Sequence, residues 1–67
     1  MNYNEETKVY VVTRTRNRRM QNAYFDSRKE AEEAYNISCK EGWNVEMLYG
    51  TPGHYETVKS KLSVLGM

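Results

Sequence analysis

A capped helix in the middle of the chain constrains this sequence more than any other feature. Ser27 is followed three positions later by Glu30. This is the capping-box spacing, in which the serine oxygen accepts from the N3 backbone N–H while the glutamate reaches back to the cap. Ala31, Ala34, Tyr35 and Ser38 then recur at i, i+3, i+4 and i+7, a narrow stripe able to lie close on a sheet, with Glu32, Glu33 and Asn36 pointing away. Gly42 supplies the left-handed C-terminal cap. The spacing predicts a helix over 28–41.

Strand-like runs flank that helix. Lys8 to Thr15 and Met20 to Phe25 are dense in β-branched and aromatic residues, and Arg16-Asn17-Arg18-Arg19 between them centres on an asparagine that tolerates positive φ. A hairpin with Asn17-Arg18 as its loop sets Thr15 opposite Met20, Val12 opposite Ala23 and Tyr10 opposite Phe25, leaving Val9, Val11 and Tyr24 on the other face. After the helix, Trp43, Val45, Met47 and Tyr49 alternate with Asn44, Glu46 and Leu48, the period of a half-buried strand. Gly50-Thr51-Pro52-Gly53 ends it. Thr51 and Pro52 read as an N-cap and N1 pair opening a second helix, with Tyr55, Val58, Leu62 and Leu65 on its stripe and its end near Gly66.

The expected fold is α+β: a small single domain of order β-β-α-β-α, with a three-stranded sheet (order 2-1-3) and two helices packed on one face. Residues 1–6 are expected to form a flexible N-terminal tail and 7–67 the domain. A core drawn from 67 residues is small. The single cysteine, Cys39, permits no internal disulfide, and with the single histidine, His54, it makes no metal site. No metal and no cofactor are expected. A lone thiol, a polar N-terminus and the lack of an apolar run of about 20 residues point to a cytoplasmic protein with no membrane segment.

Catalysis has little to draw on. His54 stands beside a turn without a nucleophile pattern, and Gly50-Thr51-Pro52-Gly53 lacks the spacing and terminal Lys-Ser/Thr of a phosphate loop. Cys39 falls near a helix C-terminus, where the dipole disfavours a thiolate. The expectation is no enzyme and no catalytic residues.

Charge is the stronger clue. The net charge of +1 conceals a block of +6 over residues 8–29 and one of −5 over residues 30–56. Arg14, Arg16, Arg18 and Arg19 crowd the first hairpin, and each guanidinium is a planar fork of donors suited to carboxylate or phosphate. With Tyr10 and Tyr24, aromatic types common in interface hot spots, they are the candidate partner-binding residues. The favoured partner is a protein with an acidic surface. The alternative is nucleic acid, gripped by the hairpin as a β-ribbon or phosphate clamp. A pI near 7.8 lies below the value of about 9 usual for nucleic-acid domains, and the acidic block would repel a phosphate backbone. A homodimer through the sheet face left uncovered by helices is also open. Phages and mobile elements encode small chains of this kind to modulate or inhibit host proteins, and that is the expected class.

Overall fold

The computed structural model describes residues 8–61. The expected N-terminal tail, and Leu62, Leu65 and Gly66 of the expected last helix, lie outside them. The elements run β1 (Val9–Arg16), β2 (Arg19–Phe25), α1 (Arg28–Lys40), β3 (Asn44–Thr51) and β4 (His54–Lys61). The four strands form one antiparallel sheet in the order β2-β1-β3-β4.

The first half follows the local chemistry. β1 and β2 pair in the expected register, Thr15 with Met20, Val12 with Ala23 and Tyr10 with Phe25. Ser27 caps α1 from an extended conformation, its hydroxyl oxygen accepting from Glu30 N–H at 3.2 Å. At the other end Gly42 takes φ 87 and donates to the Cys39 carbonyl, while Trp43 N–H reaches the Ser38 carbonyl, both at 3.1 Å. These two bonds are the Schellman pattern that closes a helix on a left-handed residue. Ala31, Tyr35 and Ser38 are buried on one stripe.

The second half corrects the expectation. The sheet has four strands, not three, and the described residues contain one helix, not two. Residues 54–61 are strand β4, hydrogen-bonded to β3, so the order β-β-α-β-α becomes β-β-α-β-β. Pro52 and Gly53 are the central residues of a hairpin turn between paired Thr51 and His54, and Gly53 takes φ 84. Proline followed by a residue with positive φ is the signature of a type II turn. Tyr55, Thr57 and Val58 are β-formers placed where the open edge of β3 can accept them. Gly50 is required just before the turn, because a Cβ there would collide with the His54 carbonyl oxygen.

The core lies between α1 and the sheet: Val12, Ala31, Tyr35, Trp43, Val45 and Met47, with Tyr10, Phe25, Ala34 and Cys39 packed against it. Met47 and Ala31 are fully buried. Among the described residues the opposite face carries no helix. There Val11 is buried in register with Tyr24 on one side and Leu48 on the other. β4 is tied back to the helix by Lys59, whose Nζ meets Glu32 Oε1 at 2.5 Å and sits 4.5 Å from the centre of the Tyr35 ring. A register shift between Met47 and Leu48 leaves Val58 as an extra residue on β4.

Candidate binding surface on the first hairpin

The tip is built by its turn. Asn17 and Arg18 both have positive φ, 53 and 67, the pairing that defines a type I′ turn and matches the twist of the flanking strands. Asparagine adopts this conformation readily. Arginine does so at a cost, and the second position of this turn ordinarily holds glycine. The last pair of β1 with β3 is Thr15 with Asn44, so Arg16, the turn and Arg19 extend past the end of β3.

The four arginines of the tip divide into two pairs with different surroundings. Arg14 and Arg16 project on the helix side and close the C-terminal end of α1. Both guanidinium carbons lie 4.3 Å from the centre of the Trp43 ring. Arg16 donates to the Glu41 carbonyl at 2.6 Å, supplying a cation and a donor to a helix end that carries partial negative charge. Arg14 donates to Gln21 Oε1 through Nε and Nη2 at 2.9 and 2.6 Å, and to Ser38 Oγ at 3.3 Å. Its Nη1 stands 3.6 Å from Glu41 Oε1, the oxygen that also accepts from Trp43 Nε1 at 3.3 Å. These two side chains hold the hairpin to the helix.

The side chains of Arg18 and Arg19 are exposed and make no hydrogen bond or ion pair among the described residues. Arg19 is paired in the ladder with Arg16, and like charges directly opposite destabilise a sheet. Along β2, Met20 and Tyr24 are 66 % and 62 % exposed on the open face, the most exposed large apolar side chains among the described residues. Tyr10 is on the other face. It is partly buried against the core, and its ring lies 4.4 Å from that of Tyr49, tilted by 32°. Of the six candidate residues, the structure leaves Arg18 exposed in the turn, Arg19 exposed beside Arg16 on the helix side, and Tyr24 exposed on the open face toward the other end of β2. Arg14, Arg16 and Tyr10 are engaged with the rest of the fold, Arg14 and Tyr10 half-buried and Arg16 exposed. Sequence reasoning missed Met20, which its position opposite Thr15 and in line with Tyr24 would have revealed.

Elsewhere the titratable groups have structural explanations. Hydrogen bonds from Lys59 and then Arg28 hold the Glu32 carboxyl below its usual 4.5. Burial, reinforced by Cys39, holds the Tyr35 phenol above its usual 10.0. His54 is exposed at the start of β4, rather than in the first turn of a helix, and Cys39 is partly buried on α1. Among the described residues no group of three or more His, Cys, Asp or Glu is placed to hold a metal ion, and no helix is long and apolar enough to cross a membrane. α1 leans on β1 and β3 more than on β2. An open groove of about 310 Å³ therefore runs between β2 and the helix, lined by Val12, Gln21, Ala23, Ala34 and Ile37. Comparison with protein-family models, with curated proteins and with solved structures finds no match to this chain.

Proposed function

We propose that this chain is a non-catalytic binding protein that docks on an acidic protein surface through the outer part of its first hairpin. Arg18 in the turn and Arg19 next to it supply the cationic contacts, and Met20 and, farther along β2, Tyr24 supply the apolar contacts on the open face, opposite to the face that carries Arg19. The observation that carries this reading is the unsupported charge at the tip. Arg18 occupies a left-handed turn position that glycine would fill without strain, and Arg19 stands opposite Arg16 with no acid facing it among the described residues. Features that disfavour the folded chain and persist at an exposed tip are the kind that a binding site accounts for. A carboxylate-bearing partner would relieve the repulsion and accept bidentate bonds.

Nucleic acid is the second reading, and it draws on all four arginines. Two of them are committed to Trp43, Gln21, Ser38 and Glu41, which leaves the tip with too few free cations to follow a phosphate backbone. The acidic side chains Glu30, Glu33 and Glu41 lie on and just after the helix on the same side of the sheet.

The test compares the wild-type chain with the double variant Arg18→Glu, Arg19→Glu in affinity capture from cell extract, followed by titration of the purified partner. The expected result is loss of the captured protein from the double variant while Lys29→Glu and Lys61→Glu retain it. Capture unchanged by the double reversal overturns the tip as the interface. Binding to mixed DNA or RNA that weakens steeply with salt would replace the acidic-protein reading by the nucleic-acid one.

A further inference from the structure

The two edges of the sheet are not alike. β4 carries the devices that keep an exposed edge from pairing: an extra residue at Val58 that breaks the ladder, and charged Glu56, Lys59 and Lys61 along its length. β2, at the other edge, has none of these within it. It is seven residues, Arg19–Phe25, with one charge at its end, no proline and no bulge, and all but Phe25 are exposed.

The direction of its free hydrogen-bonding groups follows from the turn. In a two-residue hairpin the pair flanking the turn, Arg16 and Arg19, is hydrogen-bonded, and the bonding alternates along an antiparallel ladder. Arg19, Gln21, Ala23 and Phe25 therefore bond to β1, whereas Met20, Asn22 and Tyr24 turn their N–H and C=O groups outwards. Asn22 is the midpoint of the strand and one of these outward residues.

We propose that β2 is a dimerisation edge, and that a second copy of this chain pairs with it antiparallel about a two-fold axis at Asn22. The register is self-complementary. Asn22 faces its symmetry mate, Met20 faces Tyr24, Gln21 faces Ala23 and Arg19 faces Phe25. One step beyond the strand, Arg18 faces Asp26. On the open face the two most exposed apolar side chains cover each other, a sulfur–aromatic contact. On the helix side a guanidinium lies over a phenyl ring. The one acid flanking β2, Asp26, meets the one cation of the turn, and no like charges oppose each other. A register centred on Met20 or Tyr24 would shorten the overlap and lose the Arg18–Asp26 pairing.

The described strands then form a sheet eight wide with both β4 edges outermost, and the two unprotected β2 edges are buried in the joint. The two Arg18–Asp26 pairings then close the joint at its two ends, roughly 27 Å apart at about 3.4 Å per residue. The proposal goes beyond the tip-docking reading and does not rest on it: the backbone edge carries it, and because Met20, Tyr24 and Arg18 serve both, the second copy and the partner compete for them.

Sedimentation equilibrium and light scattering of the full chain test it. A dimer is expected at micromolar to submillimolar concentration. Asn22→Pro removes an outward N–H that β1 does not use and is compatible with an edge strand. Two symmetry-related bonds are lost, so the dimer should weaken about thirtyfold while the circular dichroism spectrum and the capture of a tip-bound partner are retained. The second measurement exchanges charge. Arg18→Asp and Asp26→Arg should each weaken self-association, because each places like charges at both ends of the joint. Mixing the two variants should restore a heterodimer, in which both ends are complementary. A chain that is monomeric at roughly 1 mM, or a dimer that neither Asn22→Pro nor the charge exchange affects, overturns the proposal.

Discussion

Replacing Arg18 by glycine should make the protein more stable. Arg18 holds φ 67 at the second position of the turn. A left-handed conformation costs an L-residue about 1–2 kcal/mol, which glycine does not incur. Glycine gives back about 0.4–1 kcal/mol through the greater freedom of the unfolded chain. Removing a cation beside the Arg16–Arg19 pair adds a few tenths of a kcal/mol at most, because exposed charges are well screened. The net gain is about 0.5–1 kcal/mol, or a rise in Tm of roughly 2–8 °C for a domain of this size. Thermal and urea melts of monomer-range samples, followed by circular dichroism, measure it. Asn17→Gly serves as the comparison: asparagine tolerates the same region, so its gain should be the smaller of the two. A neutral or destabilising Arg18→Gly would refute the reasoning, since it would mean that the Arg18 side chain holds the hairpin together. With the proposed interface in place, this more stable variant should also bind its partner less tightly.

Three further outcomes follow from the packing and the charges. Arg14→Ala and Arg16→Ala should each lower stability by about 1 kcal/mol, through loss of hydrogen bonds and of the contact with Trp43, whereas Arg19→Ala should stay within about 0.5 kcal/mol of wild type; urea titration separates them. Met47→Ala, at the fully buried centre of the sheet, should cost about 2–5 kcal/mol out of a total near 3–10 kcal/mol for a chain this short, giving a large unfolded fraction in mild denaturant. The Glu32 carboxyl is held below its usual 4.5 by Lys59 and Arg28, so its contribution is full above pH 4.5 and is lost as pH falls through the lower folded-state value; stability curves of wild type and Glu32→Gln should differ at neutral pH and converge in acid.

What was legible in the sequence was local chemistry with a single reading. The Ser27 cap, the Gly42 cap and the stripe between them define α1 to within a residue. Asn17-Arg18 defines the hairpin register, and the alternation from Trp43 to Met47 places the buried face of β3. The misreading came where one dipeptide supports two structures. Thr51-Pro52 suits a helix start, and Pro52-Gly53 suits a hairpin turn. Tyr55 and Val58 fall three apart, as in a helix, but Tyr55, Thr57 and Val58 are also strand formers. Pairing with β3 and the reach of Lys59 to Glu32 are tertiary effects, invisible in a window of neighbouring residues. The candidate site was legible as a cluster of arginines and not as a division between them. That division depends on where the end of α1 comes to rest against β1, which no spacing along the hairpin encodes.

Trp43 is the only tryptophan in the chain, and its ring is sheltered at 7 % exposure beneath two guanidinium groups carried by β1. The protein therefore holds one indole, whose emission can be excited apart from that of its tyrosines, placed where the hairpin meets the helix. Its emission reads out a single joint rather than an average over the molecule. Any event that lifts the hairpin from the helix end changes the solvent and the charge around that one indole, and so shifts its spectrum without a label.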